Sequence, residues 1–131
     1  MLRTKCIFAE AEPDDGLRIS VISRHTLDDG VTPDSRITVD SFDYHWTVYA
    51  SNPQLIGSYL RDEIDWAEFD QQYRQAQRMP EQVEKLWTLI RWAEERNITL
   101  LCKEATPEQC HRRLLAEECQ LLDPTLQVHI A

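Results

Sequence analysis

Glycine is scarce in this chain, with three in 131 residues and no two close together. That excludes a dinucleotide fingerprint and a Walker-type phosphate loop, both of which need clustered glycines to bring backbone N–H groups onto phosphate. Neither a Gly-x-Ser-x-Gly elbow nor a His-Glu-x-x-His helix occurs. No apolar run approaches the roughly 20 residues of a spanning helix, and residues 1–11 lack the apolar core of a signal peptide. No membrane association is therefore expected. The four cysteines form no CxxC pair and are too sparse for a disulfide scaffold, so a reduced, cytoplasmic protein is expected. Positive charge is also in deficit. Lys and Arg number 14 against 23 Asp and Glu, a net charge of −9, and a field of that sign disfavours nucleic acid as a partner.

What is present fits one α/β domain over residues 1–131, with 42% hydrophobic residues. Lys5–Ala9 reads as a first strand, and the acidic segment Glu10–Gly16 as a turn. Leu17, Ile19 and Val21 alternate with Arg18 and Ser20 as in a strand with one polar face. Residues 27–43 carry a glycine, a proline and several aspartates, and read as a long, partly irregular connection. Asp43-Tyr44-His45-Trp46 is an aromatic cluster, by base rate core packing before a planar-ligand platform, and a short helix over Pro53–Arg61 follows. Asp65 caps a helix to about Gln77 with Trp66, Phe69, Tyr73 and Ala76 on one face. Pro80 opens another, to about Arg96, with Val83, Leu86, Trp87, Ile90 and Ala93 aligned. Leu126–Ile130 reads as a closing strand. The order predicts a short, mostly parallel sheet packed by helices, its last strand–helix–strand unit a right-handed crossover.

The segment Thr99–Glu118 holds most of the chemistry-bearing residues. Thr99–Cys102 suits a buried strand, which places Cys102 at the carboxyl edge where open α/β sheets bind ligands. Thr106 as N-cap, Pro107 at the first helical position and Gln109 as capping-box partner predict a helix from residue 107. On that register Cys110 lies in the first turn, near the positive end of the helix dipole, where a thiol pKa can fall. Arg113 shares its face, and His111 points elsewhere. The bland alternative is that both cysteines are small buried hydrophobes and that Arg112 and Arg113 form a solvated face paired with Glu117. A cysteine-phosphatase or rhodanese loop is excluded for Cys102, because the required arginine is replaced by Glu108 and the loop 103–107 has no glycine. A zinc site from Cys102, Cys110 and His111 is set aside because neighbours on a helix diverge, so no metal is expected.

Leu100-Leu101-Cys102-x-Glu104 followed by Pro107-Glu108-x-Cys110-His111-Arg112 resembles the C-terminal signature of the domain-of-unknown-function family 488 (DUF488). Pro13–Arg18, Ala50-Ser51-Asn52-Pro53 and Trp66-x-x-Phe69-x-x-x-Tyr73 resemble its YeaO-like branch. After the second strand Arg24 matches that branch, whereas the branch's aspartate, tryptophan, proline and second arginine are missing. The resemblance implies a compact α/β domain and no established activity or cofactor.

Two functions stand beside each other at this level. In one, a small cytoplasmic enzyme or binding domain takes a small anionic ligand at the carboxyl end of the sheet. Cys110 is then its nucleophile or redox thiol, Glu104 a general acid or base, and Cys102, His111, Arg112, Arg113, Arg18 and Arg24 its ligand contacts. In the other, a non-catalytic interaction module uses the same residues only to fix the turn.

Overall fold

The computed structural model describes residues 1–131. Five strands form one sheet: β1 (Leu2–Cys6), β2 (Leu17–Ser20), β3 (Tyr44–His45), β4 (Ile98–Cys102) and β5 (Val128–His129). Four helices accompany them: α1 (Pro53–Leu60), α2 (Trp66–Gln77), α3 (Pro80–Glu95) and α4 (His111–Leu122). The sheet order is β3-β2-β4-β1-β5 and every pair is parallel, as the α/β reading requires. β4 lies at the centre and all five of its residues are buried, which accounts for its unbroken run Ile-Thr-Leu-Leu-Cys. No helix is long and apolar enough to cross a membrane.

The two faces of the sheet are covered differently. Leu2, Ile19, Ile98 and Leu100 pack with Phe69 and Tyr73 of α2, Leu86, Leu89, Ile90 and Ala93 of α3, and Leu114, Leu115 and Cys119 of α4 in one 17-residue core. Phe69 and Tyr73 of the α2 stripe and Leu86, Ile90 and Ala93 of the α3 stripe are core, with Trp66 and Trp87 packed against it, whereas Ala76 is exposed and Gln77 is buried beside it. Tyr73 also donates its hydroxyl to the carbonyl of Tyr49 at 2.8 Å. A second, smaller cluster joins Ile7, Ile22, Leu101, Cys102 and Cys110, with Ile37 and Phe42 of the long connection packed against it. Part of the sheet is thus roofed by irregular chain. This connection contains no strand at residues 37–39, and its one bridge pairs Thr26 with Pro33. It fastens itself with short-range caps, Asp29 accepting from Val31 and Thr32 and the buried Asp34 holding Arg36.

Several boundaries differ from those read in the sequence. β1 begins three residues earlier, at Leu2, because its partner is Ile98. The closing strand shortens to Val128–His129. The larger difference concerns α4, which starts at His111 with Cys110 as its N-cap and not at residue 107. The backbone of Cys110 is extended, φ −141° and ψ 136°.

Arg18 is not a ligand contact. It lies level with Thr99, three residues back from the sheet edge, on the face opposite Leu100. There it is buried, pairs with Asp15 at 2.5 Å and donates to the carbonyl of Ser41 at 3.1 Å. Asp15 also takes Lys5 and lends its backbone carbonyl to Thr99 Oγ1. The role of Arg18 is to tie β2 to the turn before it and to the long connection.

Candidate functional site

Four side chains meet where β4 ends and α4 begins. Cys102 closes the strand and Glu104 follows two residues later, its chain folding back over the edge. One oxygen of Glu104, Oε2, lies 3.2 Å from Cys102 Sγ and 3.1 Å from Cys110 Sγ. Cys102 Sγ is 3.7 Å from Nδ1 of His111. The other ring nitrogen, Nε2, sits 2.8 Å from the carbonyl oxygen of Val21. A carbonyl only accepts, so Nε2 carries the hydrogen and, in the neutral ring, Nδ1 presents its lone pair to Cys102.

This convergence depends on the late start of the helix. Consecutive helical residues point about 100° apart, so Cys110 and His111 could not both face Cys102 within one helix. An extended Cys110 escapes that constraint, and its thiol and the imidazole turn the same way. The sulfurs of Cys102 and Cys110 and a nitrogen of His111 all lie within 4.8 Å of one another. The geometric objection to a joint role for these three residues therefore falls.

Arg112 is fully buried and holds the turn together. Its Nη1 donates to the carbonyl of Glu104 at 2.7 Å and to Cys110 Sγ at 3.3 Å, and its Nε to the carbonyl of Ala131 at 3.2 Å. Nη2 is buried with no partner. Arg112, read in the sequence as a ligand contact, has no exposed surface and does not line the cleft that opens over the cluster. Arg113 lies outside the cluster as well, bonding the carbonyls of Pro107 and Glu108 and pairing with Glu117 at 2.9 Å. Its solvated-face alternative is the arrangement found.

The electrostatics reverse the expectation of a depressed Cys110 pKa. Cys110 is 1% exposed. Burial pushes its thiol far up, reinforced by the neighbouring Cys102 and by the Glu104 carboxylate. Burial also acts to raise Glu104, but the two thiol donors outweigh it and hold that carboxyl below the usual range. Glu104 as a residue is exposed while Oε2 turns inward, so its carboxylate bridges the buried thiols and the solvent.

A cleft of about 620 Å³ opens over this cluster. Cys102, Glu104 and His111 belong to its lining, together with residues 22–24 and 26–30, Ser51, and Ile56, Gly57 and Leu60 of α1. Three cations stand around it: Arg24, Arg61 and Lys103. Arg24 is exposed and bonds only the carbonyl of Gly30, at 3.3 Å, whereas Arg61 pairs with Glu63 and Lys103 reaches Thr26 and Asp34. Arg24 was legible from its position after β2. Arg61, Lys103 and Ser51 were not, since nothing in the sequence shows that α1 folds over the end of β4. The interposition of Lys103 between Cys102 and Glu104 was the one available hint.

Beside the cleft, His25 Nε2 lies 2.7 Å from the hydroxyl of Ser20, and its ring stacks on His45 at 4.0 Å. Burial, then the charges of His45 and Lys103, lowers the His25 pKa from 6.5 to about 4. The folded state thus binds this proton less readily than the unfolded chain. Stability from this residue is intact above pH 6.5 and is lost progressively as pH falls towards 4. Urea unfolding of wild type and His25→Asn checks this: the wild-type advantage at pH 7.5 should shrink by about 1–2 kcal/mol at pH 5. An advantage independent of pH would show that His25 titrates normally.

The family model described as DUF488-N3a, "Active DUF488-N3 subclade", matches residues 2–121, from the first strand to the last turn of α4. The chain belongs to the DUF488 family. That match contains every residue of the cluster and every cation of the cleft. The matching description specifies the N3a subclade and names no YeaO-like branch. No curated protein and no solved structure matches this DUF488 chain.

Proposed function

We propose that this DUF488 protein is a small cytoplasmic enzyme that takes a small molecule bearing an anionic group into the cleft and acts on it at the thiol cluster. One observation carries this: Cys102, Glu104 and His111 line the same 620 Å³ cleft around which Arg24, Arg61 and Lys103 stand. An anionic group would meet Arg24 and Lys103 while the rest of the molecule lies against Ile56 and Leu60. Glu104, exposed on one side and bonded to both thiols on the other, is placed to pass a proton between cluster and ligand. His111 holds a lone pair towards Cys102, and Arg112 fixes the turn. The four unpaired cysteines support a reducing compartment, and the net charge of −9 supports a small ligand over nucleic acid. The word "active" in the family description agrees with an enzyme.

The test uses inorganic phosphate and pyrophosphate as probes, titrated at millimolar concentration into the ¹⁵N-labelled chain. Amide shifts are expected at residues 23–30 and at Lys103, and an Arg24→Ala/Lys103→Ala variant with an otherwise unchanged spectrum should lose them. Shifts scattered over the surface, or unaltered in the variant, would remove the anion site.

A further inference from the structure

We infer that the cluster at the floor of the cleft is a binding site for a thiophilic divalent metal of the zinc class. Cys102 Sγ, Cys110 Sγ and His111 Nδ1 are its protein ligands, and Glu104 Oε2 is the fourth, exchangeable one. This deepens the reading of the cluster as the chemical centre of the cleft and rests on it.

The donor atoms have the spacing such an ion imposes. With metal–sulfur bonds of about 2.3 Å and metal–nitrogen or metal–oxygen bonds of about 2.0 Å, a tetrahedron has sulfur-to-oxygen and sulfur-to-nitrogen edges of about 3.5 Å. The observed edges are 3.2 Å and 3.1 Å from the two sulfurs to Glu104 Oε2, and 3.7 Å from Cys102 Sγ to His111 Nδ1. The sulfur-to-sulfur separation and that from Cys110 Sγ to the His111 ring are within 4.8 Å, so small rotations of side chains bring these three donors onto one ion. All three of Cys102, Cys110 and His111 are buried, which sets them apart from the exposed acidic groupings common on protein surfaces.

The surroundings of the donors point the same way. A metal-bound histidine nearly always gives its other ring N–H to a carbonyl or carboxylate, and His111 gives its Nε2–H to Val21. Arg112 donates to Cys110 Sγ, the polarity a metal-bound thiolate needs. Charge also balances. Two thiolates and one carboxylate carry −3, a divalent ion brings the site to −1, and the buried guanidinium of Arg112 neutralises it. None of the bonds of Arg112 reaches an Asp or Glu side chain, and a metal thiolate at Cys110 would give its guanidinium an anionic partner. Binding one ion displaces two thiol protons to solvent, with no change of oxidation state.

The site is not a closed structural one. Glu104 faces the cleft, so its departure from the ion would free one coordination position towards a ligand oxygen, as in catalytic sites with three protein ligands. Cys6 lies off the cluster, its Sγ directed to the carbonyl of Lys103 at 3.4 Å, and is the natural control.

The full chain, purified under reducing conditions without chelator, is loaded with Zn²⁺ or Co²⁺ and measured by metal analysis and native mass spectrometry. One ion per chain is expected, with a thiolate-to-cobalt charge-transfer band and visible bands of tetrahedral intensity. Cys102→Ser and Cys110→Ser should each weaken binding at least about tenfold, Glu104→Gln should keep the charge-transfer band while altering the visible ones, and Cys6→Ser should change nothing. To separate metal binding from any folding defect of the cysteine variants, wild type is also alkylated with and without Zn²⁺. The ion should protect Cys102 and Cys110 and leave the rate at Cys6 unchanged, and a chelator should reverse the protection. A loaded wild-type protein with well under one ion per chain and no charge-transfer band overturns the site, as does protection that ignores Cys102 and Cys110. Phosphate shifts without metal would sink this inference alone. A bound metal without phosphate shifts would sink the anion site alone.

Discussion

Arg112→Ala is expected to destabilise the protein by about 3–5 kcal/mol, among the largest losses for any single polar side chain here. The side chain is fully buried, and three of its bonds bind separate pieces of chain. Its loss strands the carbonyls of Glu104 and Ala131, each at a cost of about 1–3 kcal/mol, and leaves a cavity the length of a guanidinium arm. It also removes the cation beside Cys110 Sγ. Arg112→Met restores most of the volume and none of the donors, so it should recover about 1–2 kcal/mol of that loss. Urea unfolding at pH 7.5 gives both numbers. Alanine and methionine variants equally stable with wild type would show that the turn holds itself and that Arg112 is an incidental passenger.

Gly16→Ala should cost at least about 3 kcal/mol, from steric overlap and not from lost contacts. Gly16 joins the short 3-10 turn at Pro13–Asp15 to β2 with φ 62° and ψ −134°, a region L side chains scarcely enter. An added Cβ would stand 2.0 Å from the carbonyl oxygen of Asn97, which accepts the N–H of Leu17 as β2 begins to pair with β4. Relief requires pulling the two central strands apart at their start. Gly30 supplies the control. It too has positive φ, 72°, but its Cβ position meets nothing closer than Arg24 Nη1 at 4.0 Å. Gly30→Ala therefore carries the conformational penalty alone, about 1 kcal/mol. Thermal unfolding should separate the two variants by several degrees; equal midpoints would mean that β2 and β4 yield at Asn97 more easily than their packing suggests.

The amphipathic stripes of α2 and α3, the buried run of β4 and the order of elements were legible because each is a local pattern with one strong solution. So was the carboxyl-edge position of Cys102. The start of α4 misled because Thr106, Pro107 and Gln109 form a good capping pattern, and local capping is worth only about 1 kcal/mol. Tertiary bonds outweigh it. Arg112 takes the carbonyl of Glu104 and Arg113 takes those of Pro107 and Glu108, so residues 104–108 are held as a loop by side chains that follow them. No window of sequence shows those bonds. The resulting four-residue shift of the helix start, from 107 to 111, turns Cys110 and His111 from divergent neighbours into partners. Arg18 misled for a plainer reason: an alternating strand announces its polar face and not what lies against it, and Asp15 was there.

The uneven cover of the sheet separates two tasks along the chain. The thiols, Glu104, His111 and Arg112 all belong to the single stretch 102–112, anchored between the central strand and a core helix. Arg24 and one wall of the cleft belong to the segment 22–30, part of a connection that contributes only Tyr44–His45 to the sheet at its far end, and α1 supplies another. Exchanging that connection for another of similar length would remove the apolar roof that Ile22, Ile37 and Phe42 place over Cys102 and Cys110, while the 17-residue core, which draws no residue from 22–43, would keep all its side chains.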